Sequence, residues 1–516
     1  MSGPDYDVAI VGYGPAGATL ANLLGMSGLK VAVLEREPSI YHMPRAISLD
    51  GEGMRLFQTI GLAETLLPKL GLSRNIRHVN TEGKLLVLIA RGGIGPDGWN
   101  HAYRFYQPEL EAVLRTGVER YDNVDVRLRC DVFALDQGED HVQVRYENLS
   151  NGELAALSAR YVVGCDGARS TVRRFMGAAL QDLRSHERWI VLDMILDTPP
   201  AGVPEAADET GRIVDAIQYC DPARPTTFIP MPGKRHRWEF MLMPGDDPVR
   251  IVQADQIYDL LKPWKIDPAA SQIERAVVYT FHSSLATKWR QGRLLLAGDS
   301  AHQMPPFLGQ GMGSGLRDVI NLGWKLRDVV DGRAPESLLD SYQTERMEHV
   351  RAYIEVAVEL GGVIQATDPE KARQRDAELL ANPTMIRPLT PRLGPGLHGL
   401  AAAPAGTRAE QPRLGDGQRL DDRVGYRFAV LAAPDLATEL PQKMLRSLEE
   451  TGVAVVTADG EASDYLTRAG ARAIVIRPDR HILGVAQTAG ELDLILAQIP
   501  TLKSPPAVPP RMVANV

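Results

Sequence analysis

Asp5-Tyr6-Asp7-Val8-Ala9-Ile10-Val11-Gly12-Tyr13-Gly14-Pro15-Ala16-Gly17 decides the fold. The apolar run to Val11 predicts a buried strand, and a helical pattern follows from the glycines to about Met26. A second apolar strand, Lys30 to Leu34, ends at Glu35. Each glycine has a separate physical task. Gly12 permits the tight turn, Gly14 lets backbone approach a pyrophosphate, and Gly17 allows close contact of helix and strand. Pro15 and Ala16 open the helix, whose free N–H groups favour an anion, and Glu35 is placed for ribose hydroxyls with Arg36 beside it. The same expression recurs at Gly93-Ile94-Gly95-Pro96-Asp97-Gly98 after the apolar run Leu85 to Ala90. No helical period follows it, so a loop is expected there and one dinucleotide fold in the chain.

A second motif is Gly298-Asp299-Ser300-Ala301-His302-Gln303-Met304-Pro305-Pro306-Phe307-Leu308-Gly309-Gln310-Gly311-Met312. The apolar run Arg293 to Ala297 leads into it, and a helical pattern from about Gly313 to Val330 leaves it. A buried strand ending in a carboxylate, then a proline-stiffened loop and a helix start, suits an electron-rich ligand. Asp299 accepts from hydroxyls, and the helix N-terminus faces partial negative charge. A third strand, Tyr161 to Gly164, ends at Cys165-Asp166-Gly167 with Arg169 and Arg173 four residues apart beyond it.

The three motifs, in the chain order glycine fingerprint, Asp166-Gly167, Gly298-Asp299, resemble the FAD-dependent aromatic hydroxylases, single-component flavoprotein monooxygenases of the p-hydroxybenzoate hydroxylase type. The resemblance spans about residues 5 to 350. Pro44-Arg45-Ala46-Ile47, Cys220-Asp221-Pro222-Ala223-Arg224-Pro225 and Trp238 to Gly245 look most like the 3-(3-hydroxyphenyl)propionate hydroxylases. The resemblance implies FAD, hydride from NADH or NADPH, and O2 as co-substrate, with a flavin C4a-hydroperoxide attacking a phenol ring. It further implies that Gly12, Gly14 and Gly17 hold the pyrophosphate and Glu35 the adenosine ribose. Arg45, Arg104 and Gln107 then contact the FAD chain, and Asp166 works near the pyrophosphate. Asp299 binds the ribityl hydroxyls, while Pro305, Pro306, Gly309, Gln310, Gly311 and Met312 border the isoalloxazine.

A deprotonated phenol is the better attacking ring, and free phenols have a pKa near ~10. Lowering it by about two units asks for roughly 2.7 kcal/mol of differential stabilisation. His302, in the flavin loop beside Pro305, is the candidate group at the reacting end, the alternative being that it caps the loop. Arg224 and Arg237 are candidate partners of a substrate carboxylate, and Tyr219 and Phe240 candidate walls of an aromatic pocket. The leading substrate is a small phenolic acid of aromatic catabolism. Two other readings stay open: a hydroxylase of a bulky phenolic natural product or antibiotic, and a flavin-binding protein or dehydrogenase without oxygen chemistry.

Composition narrows the setting. A formal charge of −8 lacks the basic balance of a nucleic-acid binder. No apolar run reaches the roughly 18 residues of a membrane helix. Three unpatterned cysteines, Cys130, Cys165 and Cys220, fit reduced thiols with neither disulfide nor metal. With Lys30 the first basic residue, no secretory signal is read, and a cytoplasmic location is expected.

The fold expected is α/β. A Rossmann-like FAD-binding domain (1–180, returning at 286–382) carries an inserted mixed or antiparallel-sheet substrate domain (181–285). A Pro, Gly and Ala-rich stretch, 383–412, reads as a linker. Residues 413–500 resemble the thioredoxin-like extension of some of these hydroxylases, without any Cys-x-x-Cys, which excludes redox chemistry there. Packing or subunit contact remains for it, consistent with a homodimer. Residues 501–516 form a Pro-rich tail.

Overall fold

The computed structural model describes residues 3–201, 203, 212–382 and 384–503. The tail expected at Ser504–Pro510 lies outside them. The first sheet is built on three neighbouring parallel strands. Tyr6–Val11 lies between Val31–Glu35 and Glu153–Gly164, with Val124–Leu128 beyond the former and Leu294–Leu296 beyond the latter. Near-continuous apolar residues form these strands because helices cover the sheet. Parallel pairing brings the three sequence motifs to one edge. There the loops are stitched together: Gly12 N–H donates to Leu34 O at 2.8 Å, Cys165 N–H to Val11 O at 2.8 Å, and Ala297 N–H to Gly164 O at 2.9 Å. Gly12 sits at φ +99°, and a Cβ on Gly17 would lie 2.1 Å from Gly12 O, so both positions require glycine.

The second sheet has nine strands, in the order His302–Gln303, Ser271–Ala286, Leu180–Leu196, Arg235–Met241, Thr226–Pro230, Ala216–Tyr219, Asn75–Val79, Leu85–Ala90 and Thr384–Ile386. Three of its strands, Asn75–Val79, Leu85–Ala90 and His302–Gln303, come from stretches that the sequence assigns wholly to the nucleotide domain. Asn75–Val79 pairs in parallel with Ala216–Tyr219, and Leu85–Ala90 pairs antiparallel with Asn75–Val79. Such long-range partnerships leave no trace in local periodicity. The expected loop at Gly93–Gly98 is a loop.

The C-terminal unit is thioredoxin-like. Ala429–Ala432 pairs in parallel with Ala454–Thr457 and antiparallel with Ala473–Ile476, which pairs antiparallel with Ile482–Ala486. The stretch before it is no free linker. Thr384–Ile386 extends the nine-stranded sheet, and Arg408 reaches Glu52 at 2.7 Å and Asp97 at 3.0 Å. Arg55, fully buried, donates to Asp421 at 2.6 and 2.9 Å and to Ala409 O. Its Pro and Gly content reflects an irregular path over the surface of the body, where backbone groups find partners one at a time.

A buried ionic cluster fixes the extension to the long helices Gly311–Val330 and Asp340–Ile364. Glu345 accepts from Arg477 at 2.8 and 2.7 Å, from Lys325 at 2.7 Å, from Asn321 at 2.9 Å and from the Leu397 N–H at 2.9 Å. These partners overcome burial and hold Glu345 well below the usual carboxylate range, Arg477 contributing most. Burial pushes Lys325 down to about 8, so Arg477 is the cation that stays charged throughout.

Glu345→Ala leaves Arg477 and Lys325 buried without their shared partner and should cost about 3–5 kcal/mol in denaturant unfolding at neutral pH. Because the folded pKa is depressed, the stabilisation is complete above the ordinary value of 4.5 and lost as pH falls below it. The wild-type advantage over Glu345→Gln should therefore shrink in acid.

Candidate active site

The motif loops and the nine-stranded sheet enclose one cavity of about 480 Å³. On the nucleotide side it is lined by Gly14, Pro15 and Ala16, by Cys165, Gly167 and Ala168, and by Ala297 to Asp299 with Gly311, Met312 and Gly315. Two helices, Pro15–Met26 and Gly311–Val330, start at this wall. Their unsatisfied N–H groups and dipoles converge on it, which suits a pyrophosphate and an electron-rich ring. A Cβ on Gly14 would project into open space, leaving the backbone approachable. The Asp299 carboxylate is open to the cavity but ringed by protein, and this desolvation raises its pKa, opposed by His302 and Arg45. An acceptor at a strand end, two helix starts and an open glycine fit FAD.

Arg45 lines the cavity, and its backbone is held by Gln107, whose Oε1 accepts from the Arg45 and Ala46 N–H groups at 2.8 Å each. Gln107 is held in turn by Glu111 at 2.7 Å. Glu35 lies beneath the glycine loop, accepting from the Tyr13 N–H at 2.6 Å and the Glu37 N–H at 2.8 Å. Arg36 is exposed and pairs with Glu37. Asp166 accepts from the Thr171 and Val172 N–H groups at 2.7 and 3.2 Å and so organises its own turn, with Gly167 and Ala168 reaching the cavity instead. Arg173 ties that turn to the next motif, donating to Ala168 O and Ser300 O. Pro305, Pro306 and Gly309 line the cavity with Gly311 and Met312, while Gln310 turns away to accept from Arg317 at 3.0 Å.

Several expected residues stand elsewhere. His302 does not reach the cavity: it is buried, stacks on Trp289 at 5.4 Å and meets Asp318 at 2.7 Å. Asp318 also accepts from the Gly298 N–H at 3.0 Å and from Arg346 at 3.0 Å. His302 is thus a positioning residue that braces the loop against the helix, the alternative weighed above. Arg224 is paired with Asp246 at 2.7 Å, away from the cavity. Arg237 lines it but is committed to Asp193 at 2.7 and 2.9 Å and to the carbonyls of Pro44 and Arg45. Tyr219 and Phe240 point to the other face of the sheet and pack on Trp264. Strand parity explains both errors, since Gln218 and Glu239, one residue away, face the cavity.

Comparison with known proteins agrees with this geometry. The family model described as an FAD binding domain matches residues 5–357. The chain belongs to the FAD-dependent aromatic hydroxylases. It is 36% identical to a probable NADH-specific resorcinol 4-hydroxylase of Rhodococcus jostii, over 97% of both chains. It is 40% identical to a 3-(3-hydroxy-phenyl)propionate/3-hydroxycinnamic acid hydroxylase of Mycolicibacterium gilvum, over 83% of this chain and 75% of that one. Among solved structures, the flavin-dependent monooxygenase PieE, in complex with FAD and substrate, superposes with a TM-score of 0.80 at 24% identity, covering 97% of this chain and all of that one. As a hydroxylase of this family, the protein is a flavoprotein monooxygenase that takes hydride from a reduced nicotinamide and consumes O2. No helix of the described residues is long and apolar enough to cross a membrane, and these residues contain no His, Cys, Asp and Glu cluster fit for a metal ion.

Asp299→Ala removes the acceptor at the end of its strand. A charged hydrogen bond contributes roughly 1.5–3 kcal/mol, so the FAD dissociation constant, followed by flavin fluorescence, should rise on the order of 10- to 100-fold.

Proposed function

We propose that this enzyme hydroxylates the ring of a small phenolic acid of the 3-(3-hydroxyphenyl)propionate kind, with NADH as hydride donor, in the cytoplasm. The observation that carries this reading is that the glycine and Asp299 loops and the nine-stranded sheet line one and the same cavity, which can hold a cofactor ring beside a substrate. Its second wall is the nine-stranded sheet, with Ile76, Ala216, Ile229, Phe281 and Phe307 as apolar surface. A site of about 480 Å³ is at the lower end of those that hold a single drug-sized ligand.

The bound FAD supplies hydride acceptance and oxygen activation; the protein supplies position and dryness. Phe307, resting edge-on against Trp189 at 5.8 Å, gives the cavity an apolar wall. Gln218, buried in the sheet wall opposite His78, donates to Phe307 O at 3.4 Å through its amide nitrogen and also engages the His78 ring. The choice of NADH is supported by the Rhodococcus relative named for that specificity. The cytoplasmic location is supported by three cysteines that stay free, Cys220 with its thiol pushed by burial up to about 12.

NADH oxidation by the yellow holoenzyme should rise when 3-(3-hydroxyphenyl)propionate is added, and mass spectrometry should find a product with one added oxygen atom. Stimulation by resorcinol alone would transfer the substrate to the uncharged phenols. Absence of NADH-dependent flavin reduction with any phenol would refute the reading altogether.

A further inference from the structure

Two arginines of the cavity have no partner: Arg91, and Arg104, which the family resemblance places on the FAD chain. Arg91 and Arg104 both line the cavity, with 6% and 4% of their surfaces exposed. Neither guanidinium makes a hydrogen bond or ion pair with a described residue, and the Nε and one terminal nitrogen of each are buried and unpartnered. Paired cations fill the surroundings: Arg237 with Asp193, and Arg275 with Tyr279 and Pro44 O. The acids nearby are engaged too. Asp215 accepts from Asn75 at 3.1 and 2.9 Å, and Glu239 stands 4.0 Å from Arg237. Uncompensated buried charge is destabilising, so two adjacent free guanidiniums imply an anion that arrives later.

We propose that Arg91 and Arg104 form the specificity-determining clamp for the carboxylate of the substrate. This rests on the phenolic-acid reading above and names the residues that would make the acid, rather than an uncharged phenol, the preferred ligand. Placement favours substrate over cofactor. Arg91 follows strand Leu85–Ala90 and donates its N–H to Arg74 O at 2.7 Å, beside the start of Asn75–Val79. Arg104 ends strand Ala102–Arg104 and feels Arg91, Glu239 and Asp215. Arg91 therefore belongs with the nine-stranded sheet, while Arg104 stands on a small separate sheet, paired with Ser48 and Gly71, and reaches the same cavity; the glycine wall at Gly14 to Ala16 is made by other elements. Gln218 lines the same cavity from strand Ala216–Tyr219, which pairs in parallel with Asn75–Val79. Burial lowers Arg91 to about 10, opposed by Asp50 and Asp215, so it is still cationic at neutral pH, and a planar fork suits a carboxylate bidentately.

The test compares 3-(3-hydroxyphenyl)propionate with its uncharged propanamide on the holoenzyme. Binding is read from the perturbed flavin spectrum and turnover from NADH oxidation. Wild type should prefer the acid, and Arg91→Gln should reduce the acid-to-amide preference by ~10- to 100-fold in KM and Kd while still carrying FAD. Arg91→Lys, which keeps charge but loses the fork, should restore part of it. Equal binding of acid and amide by wild type overturns the proposal even if no variant folds. Loss of FAD from Arg91→Gln overturns it as well and assigns the residue to the cofactor. Hydroxylation of both ligands without discrimination would sink the clamp and leave the phenol hydroxylase standing; hydroxylation of neither would sink the phenolic reading itself.

Discussion

Two helices can aim their first N–H groups at one ligand only if their opening turns nearly touch. Here that contact is made without side chains. A Cβ on Gly315 would stand 3.1 Å from the Gly298 Cα, and a Cβ on Gly298 would stand 3.4 Å from the Ala16 Cβ. The strand end bearing Asp299 is therefore wedged between the starts of Pro15–Met26 and Gly311–Val330. Asp318, one turn further along the second helix, fastens the wedge by accepting from the Gly298 N–H, and His302 and Arg346 hold Asp318. The carboxylate, the two dipoles and the open glycine share one focus because these backbones lie in contact.

This half of the site is legible in the sequence because it is local. A strand, its terminal glycine or acid and the following helix are contiguous, and each residue type answers to a turn or a close approach nearby. The sheet wall is written differently. Whether Trp238, Glu239 or Phe240 faces the ligand depends on which side of the sheet is covered, and that is decided by Trp264 and its neighbours rather than by the strand. Aromatic residues suggest a pocket, so Tyr219 and Phe240 draw attention, while the residues beside them, Gln218 and Glu239, form the wall.

Charge misleads in the same way. Arg224 and Arg237 stand in suggestive motifs, yet each already has a carboxylate, Asp246 or Asp193, supplied from distant sequence. Arg91 opens the loop that mimics a dinucleotide fingerprint, and nothing in its neighbourhood marks it as cationic surplus. Only the three-dimensional inventory of partners shows which arginine is left over. The sequence signal that does exist is indirect: an arginine directly after an apolar strand is under pressure either to find an acid or to wait for one.

Beyond the cavity, charges alternate in a chain. Asp50 and Glu52 meet Arg317, Glu52 meets Arg408, Arg408 meets Asp97, and Arg55 joins Asp97 to Asp421. Arg55 and Asp421 are separated by 366 positions. A ribosome releases the first long before the second, so a nascent chain that has completed the glycine loop still holds Arg55 and Glu52 without their later partners. The nucleotide domain of this enzyme matures in the order of translation only up to a point. Its final setting waits on the thioredoxin-like unit, which acts as the closing clasp of a fold begun at the other end.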